Sequence, residues 1–360
     1  MNHPNPDKVL VAMSGGVDSS VAALLLREAG YQVIGITMHL WSGNSSEKSC
    51  CSLEQAEDAR AVAARLGFSH YTLDLRELFY REVISYFEKE YLRGRTPNPC
   101  ILCNEKLKFD YLLNQGRKFG CKYIATGHYA RIERSERPSE ERQYILKKGV
   151  DPQKDQSYFL CRFTQSQLAR TLLPLGTYTK EETRKTASEA GLVTAGKRES
   201  QEICFIPDHD YRRYIQEAFP EKIQPGALLD MQGNKVGEHR GFPFFTVGQR
   251  RKLGVAFGSP RYVVRIDAEQ NRVVIGEKKD LEQDRVPLEN VNWTNGEIPD
   301  APLEIKAKLR YQQKEQPARV TPLPGLKAEV IFKEAQTGVS PGQALVFYQD
   351  DRVLGGGWIV

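Results

Sequence analysis

The feature that most constrains this fold is the loop Ser14-Gly15-Gly16-Val17-Asp18-Ser19-Ser20. It sits between the short apolar run Lys8-Val9-Leu10-Val11-Ala12-Met13 and a stretch, Asp18 to Ala29, whose apolar spacing is that of a helix ending at Gly30. A buried strand that turns through two glycines straight into a helix leaves the helix's open N–H groups at the strand's carboxyl end. Glycines let the backbone approach an anion there, and the Ser hydroxyls add donors. The loop therefore reads as a phosphate or pyrophosphate cradle. A plain tight turn capped by Asp18 or Ser19 satisfies the same local pattern, but two adjacent Gly, an Asp and paired Ser in this context favour the anion site. The glycine spacing is that of neither a Rossmann fingerprint nor a Walker loop. Gly191 to Lys197 has Walker spacing, yet Arg198 stands where a magnesium-holding hydroxyl belongs, and a helix precedes it.

Alternation continues along the chain. Tyr31 to Met38 reads as a second strand, Leu53 to Leu66 as a helix closed by Gly67, and Phe68 to Leu73 as a third strand. Helices are expected at Leu78 to Tyr91 and Lys106 to Phe119, and a fourth strand at Lys122 to Thr126. This order implies a doubly wound α/β domain with a parallel sheet, whose ligands gather at the carboxyl ends of the strands. Glu133 to Arg142 is polar and contains Pro138, as in an exposed hairpin or loop within that domain. Thr164-Gln165-Ser166 can cap one helix, and Thr179-Lys180-Glu181-Glu182 opens another that runs to Ala190 and stops at Gly191.

From about residue 225 the texture changes to Gly, Pro and short β-branched runs: Tyr262 to Ile266, Arg272 to Ile275, Leu303 to Ala307, Ala328 to Phe332 and Ala344 to Tyr348. Short strands at regular spacing suggest a β-barrel. The expected division is a catalytic domain over 1–210, a small central linking domain over 211–280 and a C-terminal barrel over 281–360, in keeping with 360 residues at about 150 per domain.

Forty per cent hydrophobic and 27% charged residues exclude a disordered chain, and no apolar run approaches the roughly eighteen residues of a membrane span. The first residues lack the basic start and apolar stretch of a signal peptide, so a cytoplasmic protein is expected. A net charge of +5 permits an anionic partner without requiring one. Seven cysteines, an odd number, argue against a disulfide framework and point to redox, nucleophilic or metal roles. Thr96-Pro97-Asn98-Pro99-Cys100-Ile101-Leu102-Cys103-Asn104 sets two cysteines on a proline-stiffened loop expected to feed the helix from Lys106. A helix N-terminus favours thiolate, which makes Cys103 a candidate nucleophile. Cys204 lies about a hundred positions on and could meet it only through the fold. Cys121 and Cys161, among apolar neighbours, read as small buried hydrophobes, and Cys50-Cys51 as helix-start packing. A four-cysteine zinc site would need a second close pair, and Cys204 stands alone.

Ser-Gly-Gly-Val-Asp-Ser after a first strand resembles the PP-loop of the ATP pyrophosphatases, the adenine nucleotide alpha hydrolase-like enzymes that cleave ATP between the α and β phosphates. Further blocks sharpen the likeness: Gly94-Arg95-Thr96-Pro97-Asn98-Pro99 with Cys103-Asn104, Thr126-Gly127-His128-Tyr129, Lys154-Asp155-Gln156-Ser157-Tyr158-Phe159, Ser200-Gln201-Glu202-Ile203-Cys204-Phe205 and Thr246-Val247-Gly248-Gln249-Arg250. In this order they resemble the bacterial tRNA-specific 2-thiouridylases over nearly the full length.

The resemblance implies ATP-dependent sulfuration of carbon 2 of the wobble uridine in tRNAs for Lys, Glu and Gln. ATP would bind Ala12, Met13, Ser14, Gly15, Gly16, Val17, Asp18 and Ser19, with Met38 beside the adenine, Gly127 also at the nucleotide, and Mg2+ on the phosphates. Cys204 would carry sulfur as a persulfide supplied by a relay that starts at a cysteine desulfurase. Cys103 would be the partner nucleophile, releasing sulfide from that persulfide or closing a disulfide with Cys204. Asn98, Pro99 and Cys100 would touch the target base, and His128, Lys154, Asp155, Gln156, Arg310, Tyr311 and Gln343 the tRNA. Taken alone, each of these has an ordinary structural explanation: a Lys or Arg is usually a solvated charge, Tyr311 could be barrel packing and His128 a hydrogen-bonded strand end. A monomer is expected.

One departure matters. Many members of that family carry Asp where this chain has Cys100, and a thiol cannot serve as a carboxylate base near neutral pH. Cys100, Cys103 and Cys204 instead match the three-cysteine pattern of related thiolation enzymes that hold a labile iron-sulfur cluster. Two other functions remain to be weighed: a different PP-loop ligase, which would not need the cysteines, and a non-catalytic RNA-binding protein with a vestigial loop.

Overall fold

A computed structural model describes residues 6–41, 53–135, 143–197, 203–206, 208, 210–255 and 258–360. Lys8–Ala12 (β1) is followed by Val17–Glu28 (α1), Gln32–His39 (β2), Leu53–Leu66 (α2) and Ser69–Asp74 (β3). Val9, Leu10 and Val11 are all fully buried, as expected of a strand covered on both faces by helices. A helical run follows in three pieces, Arg76–Phe79 (α3), a π-helical turn Tyr80–Ile84 and Ser85–Tyr91 (α4). A second run comprises Pro99–Leu102 (α5), a π-helical segment Cys103–Tyr111 and Leu112–Lys118 (α6). Next come Tyr123–Ala125 (β4), Ala130–Arg134 (β5), Tyr144–Lys148 (β6), Gln165–Leu168 (α7), Thr171–Leu172 (β7) and Lys180–Glu189 (α8).

The first sheet has the order β3-β2-β1-β4-β7, and every pairing in it is parallel. Successive strands leave β1 in opposite directions, so a crevice opens between the carboxyl ends of β1 and β4, the switch point where such sheets bind ligands. Both expected capping boxes form, at Thr164 and at Thr179.

Tyr211–Ala218 (α9), capped by Asp210, leads into Gly226–Leu229 (β8), Lys235–His239 (β9), Tyr262–Asp267 (β10) and Arg272–Gly276 (β11), a sheet of order β10-β11-β8-β9. Six strands then close a barrel: Gln283–Trp293 (β12), Leu303–Lys308 (β13), Gln316–Leu323 (β14), Lys327–Gln336 (β15), Ala344–Gln349 (β16) and Arg352–Ile359 (β17). Its core gathers Val286, Leu288, Val320, Val330, Leu345 and Phe347.

Three sequence-level expectations are amended. The helix expected from Lys106 starts at Pro99, because proline at the first helical position is preorganised and loses no hydrogen bond there; Cys100 and Cys103 therefore lie on helix, not loop. The polar segment near Glu133 is flanked by the β5–β6 hairpin, and β6 pairs with β17, so this hairpin extends the barrel's sheet and is not confined to the first domain. Residues 136–142, like Cys50-Cys51, lie outside the described residues. Strands β8, β9, β12, β14 and β17 carry too much Gly, Pro or polar sequence to be read from pattern. In β17 the glycines are needed: a Cβ on Gly357 would sit 2.8 Å from Val291, and one on Gly356 2.7 Å from the Leu345 carbonyl, just where β12, β16 and β17 close the barrel.

Candidate active site

The cradle is assembled from short-range contacts. Gly15 has φ +69°, a backbone conformation that suits glycine, and any Cβ there would strike the Gln55 backbone. The Ser14 N–H donates to Ser19 Oγ at 3.1 Å, and the Ser19 and Ser20 hydroxyls donate to the Gly16 carbonyl at 3.2 and 2.8 Å. Gly16 is the N-cap of α1 and no side chain caps that helix, so the first N–H groups stay open to an anion. The Thr37 hydroxyl donates to the Met13 carbonyl at 2.7 Å and lies 2.9 Å from His70 Nε2, which pins the strand end behind the loop.

Asp18, in the first turn of α1, is held by residues distant in sequence. Lys180 Nζ lies 2.7 and 2.9 Å from its two carboxylate oxygens, and the Tyr129 hydroxyl donates to it at 2.8 Å. The Tyr129 hydroxyl also lies 3.0 Å from Thr183 Oγ1, and the ammonium of Lys180 stands 5.7 Å from the Tyr129 ring. Lys180 is 8% exposed. The buried ammonium thus sits beside the cradle, paired with the Asp18 carboxylate. Tyr129 ends the Thr-Gly-His-Tyr block and was legible there; Lys180 follows a helix cap 162 positions from its partner, and nothing local signals it.

Gly127, at the carboxyl end of β4, closes the other side of the crevice. A Cβ there would lie 2.7 Å from the Asp18 carbonyl carbon and 2.8 Å from the Ser19 nitrogen, so only glycine lets the two elements approach. His128 is buried, its Nδ1 2.6 Å from Thr126 Oγ1 and its ring against Phe109. Burial, reinforced by the charge of Lys108, holds its pKa well below the ordinary 6.5, so the ring is neutral near neutral pH. Met38 is partly buried at the end of β2 and borders two apolar clusters, one of them the cluster that contains Cys103.

That cluster joins Leu40, Phe79, Phe87, Cys103, Leu107 and Phe205, and Cys204 packs against it. The fold thus brings Cys103 and Cys204 to one apolar neighbourhood. Cys100 is exposed at the second position of α5, whereas Cys103 lies beyond the first turn with its N–H directed to Pro99 and Cys100 carbonyls. The field of the helix N-terminus, which fades within one turn, therefore falls on Cys100 rather than on Cys103. Cys161 and Cys121 are buried as expected, and burial pushes the Cys161 thiol up to about 12. Among the described residues, Cys100, Cys103 and Cys204 included, no group of three or more His, Cys, Asp or Glu is arranged to hold a metal ion. The three cysteines do not fit an iron-sulfur cluster in this arrangement.

The residues assigned to tRNA occupy two settings. Asp155 is buried and accepts the Gly149 and Ser157 N–H groups at 3.1 and 3.0 Å and the Ser157 hydroxyl at 2.9 Å, which organises the turn after β6. Gln156 Oε1 accepts the Tyr129 N–H at 3.0 Å, tying that turn to the Asp18 cluster. Arg310 Nη2 donates to the Gly338 carbonyl and the Ser340 hydroxyl, both at 3.0 Å, and the Tyr311 ring lies 4.5 Å from that of Phe159. Gln343 Nε2 donates to the Thr96 and Pro97 carbonyls. Lys154 is half-buried; Asn98 occupies the N-cap position of α5, without a side-chain capping bond, beside buried Pro99.

Residues 7–208 match the family model described as tRNA methyl transferase HUP domain, 212–277 the accompanying PRC-barrel domain and 283–359 an aminomethyltransferase beta-barrel domain. Full-length relatives carry a more specific name. The tRNA-specific 2-thiouridylase MnmA of Heliobacterium modesticaldum is 50% identical over 359 residues, covering 98% of this chain and 92% of that protein. Its counterpart in Moorella thermoacetica is 51% identical over 355 residues, covering 97% and 98%, and that of Acetivibrio thermocellus 48% over 357 residues, covering 98% and 99%. With an uncapped glycine cradle at the switch point, two cysteines in one cluster and this likeness along the whole chain, the protein belongs to the tRNA-specific 2-thiouridylases, enzymes that transfer sulfur to tRNA uridine.

Proposed function

We propose that this enzyme thiolates carbon 2 of the wobble uridine in tRNAs for Lys, Glu and Gln by two coupled half reactions, ATP activation and persulfide transfer. The observation that carries the reading is the convergence of Cys103 and Cys204 on one apolar cluster that Met38, at the edge of the nucleotide crevice, also borders. A ligase of another class would have no use for that convergence, and a binding protein none for the uncapped cradle.

In the first half, the cradle from Ala12 to Ser19 binds the phosphates of ATP, with Gly127 opposite and Met38 beside the base. Lys180 supplies positive charge, and Asp18 is the carboxylate available to Mg2+. The uridine 2-oxygen attacks the α-phosphorus, pyrophosphate leaves and the N3 proton is released, so a poor leaving group becomes AMP. The base must leave its stack for this, and exposed Cys100, with Asn98 and Pro99, would receive it.

In the second half, the terminal sulfur of a Cys204 persulfide attacks C2 and AMP departs. Cys103 thiolate then attacks the Cys204 sulfur, closes a Cys103–Cys204 disulfide and releases 2-thiouridine, which regains its N3 proton. Alternatively Cys103 first frees sulfide from the persulfide, forming the same disulfide, and sulfide attacks C2. Either route consumes one persulfide and needs a thiol reductant to reopen the disulfide. A cysteine desulfurase relay would load Cys204, and no step passes through an iron-sulfur cluster. Lys154 and Arg310 would neutralise tRNA phosphates and Tyr311 would stack. The enzyme is read as a cytoplasmic monomer.

The test incubates the full chain with unmodified tRNA for Lys, ATP, Mg2+, a persulfide donor and a thiol reductant, and reads nucleosides by mass spectrometry. The reading expects ATP-dependent 2-thiouridine at the wobble position. AMP and pyrophosphate without thiouridine would overturn the acceptor assignment, and the absence of all three would overturn the catalytic reading.

A further inference from the structure

The chain between α4 and α5 has no regular structure, yet its backbone polar groups need partners. The N–H groups of Leu92 to Arg95 turn back to carbonyls of α4, and the backbone polar groups of Thr96 and Pro97 find their partners on the barrel. The Thr96 N–H donates to the Pro341 carbonyl at 2.7 Å, and Gln343 Nε2 donates to the Thr96 carbonyl at 2.9 Å and the Pro97 carbonyl at 3.2 Å. Arg95 pairs its charge with Glu90 on α4 at 2.9 Å, and its Nη2 donates to Glu289 on β12 at 2.9 Å and to the Ile359 carbonyl of β17 at 3.0 Å. A Cβ on Gly342, whose φ is +87°, would lie 3.0 Å from the Thr96 carbonyl oxygen, so the loop is pressed directly on the barrel backbone. Tyr158, beneath the loop, donates its hydroxyl to the Ala344 carbonyl at 2.8 Å.

We propose that Gln343 and Arg95 are positioning residues through which the barrel sets the geometry of the cysteine helix, making the barrel a working part of the sulfur-transfer site. Two prolines, Pro97 and Pro99, fix φ on either side of Asn98, so displacement at Thr96 passes to Asn98, Cys100 and Cys103 with little slack. The amide chemistry points the same way. The Gln343 side-chain nitrogen has two protons and two protein carbonyls to receive them, so its donor capacity is already used before tRNA arrives. Its task is to hold the loop rather than to grip RNA.

This inference rests on the thiolation reading above, and its test separates the two. Gln343→Glu keeps size and shape but sets an acceptor against two carbonyls, and Arg95→Met removes the fork, with Arg95→Lys as the conservative partner. Wild type and variants are compared for thiolation kcat and KM, tRNA Kd, thermal melting and the rate at which iodoacetamide labels Cys103, followed by peptide mass spectrometry. The expected result for Gln343→Glu and Arg95→Met is a kcat lower by about tenfold or more, with tRNA KM and Kd within about twofold of wild type. Cys103 labelling should change several-fold and Arg95→Lys should recover part of kcat. A rise in tRNA Kd with unchanged kcat would make Gln343 an RNA contact and overturn the proposal, as would variants that match wild type in kcat and labelling. If wild type forms no thiouridine, the functional reading falls, while labelling still decides whether the barrel positions Cys103.

Discussion

Inside the nucleotide cradle, the hydrogen bonds that shape the turn span three to five residues, from Ser14 to Ser19 and from Ser19 and Ser20 to Gly16. Around the cysteine loop they reach across the chain, with Gln343 bonded to Thr96 247 positions away and Arg95 to Ile359 264 positions away. The two halves of the active site therefore depend on different things. The ATP half is built on a local turn that a strand–glycine–helix unit can form, with Lys180, Tyr129 and Gly127 as distant supports. Under the proposal above, the sulfur half takes its geometry from the contacts of Arg95, Thr96 and Pro97 with the barrel. Substitutions in the cradle should act on nucleotide chemistry alone, and substitutions of Arg95 or Gln343 should act on sulfur transfer with activation intact.

The largest effect is expected at Asp18 and Lys180. Asp18→Asn or Lys180→Met removes one member of a part-buried ion pair beside the cradle, and pyrophosphate formation should fall by about a hundredfold or more, checked by pyrophosphate release with saturating tRNA. Activity within a few-fold of wild type would show that the pair serves only to join α1 to α8. Gly127→Ala comes next: the added methyl meets the Asp18 and Ser19 backbone, so ATP affinity should weaken by about tenfold in calorimetric titration while tRNA affinity holds.

Acid should then expose a third difference. His70, His128 and His239 all have pKa values lowered mainly by burial, so the folded chain resists protons that the unfolded chain accepts below about 6.5. Their contribution to stability is complete above that pH and is lost progressively as pH falls toward their folded values. The melting temperature should drop between about pH 6.5 and pH 5, and His128→Gln should flatten that slope. The smallest effect belongs to Cys121→Ala, away from both half-sites, which should cost about 1 kcal/mol of stability and leave both half reactions unchanged.

The same contrast explains what the sequence made legible. The strands, the helix ends at Gly30 and Gly67, the capping boxes at Thr164 and Thr179 and the cradle rest on neighbours in sequence, and local chemistry announces them. Pro99 misled because prolines are read as loop residues, although at the first helical position the ring suits the helix and carries Cys100 and Cys103 onto it. Gly355-Gly356-Gly357 reads as a breaker, yet in β17 it is the absence of side chains that lets three strands pack. Lys180 and Arg95 were invisible as site residues for another reason: each derives its role from a partner more than 150 positions away, apart from the Arg95–Glu90 contact, whereas Gln343, read by resemblance as an RNA contact, is bonded to the Thr96 and Pro97 carbonyls. Asp155 and His128, read by resemblance as RNA contacts, are buried side chains that order the turn after β6 and the end of β4.

The measurement that bears most directly on the two-part site is Cys103→Ser assayed for pyrophosphate release and for 2-thiouridine in the same reaction, with unmodified tRNA for Lys, ATP, Mg2+ and a persulfide donor. Pyrophosphate release within about twofold of wild type together with loss of thiouridine is the predicted result, because activation and sulfur transfer use separate machinery. Thiouridine formed at the wild-type rate, or loss of pyrophosphate release in a variant that still binds ATP, would contradict it.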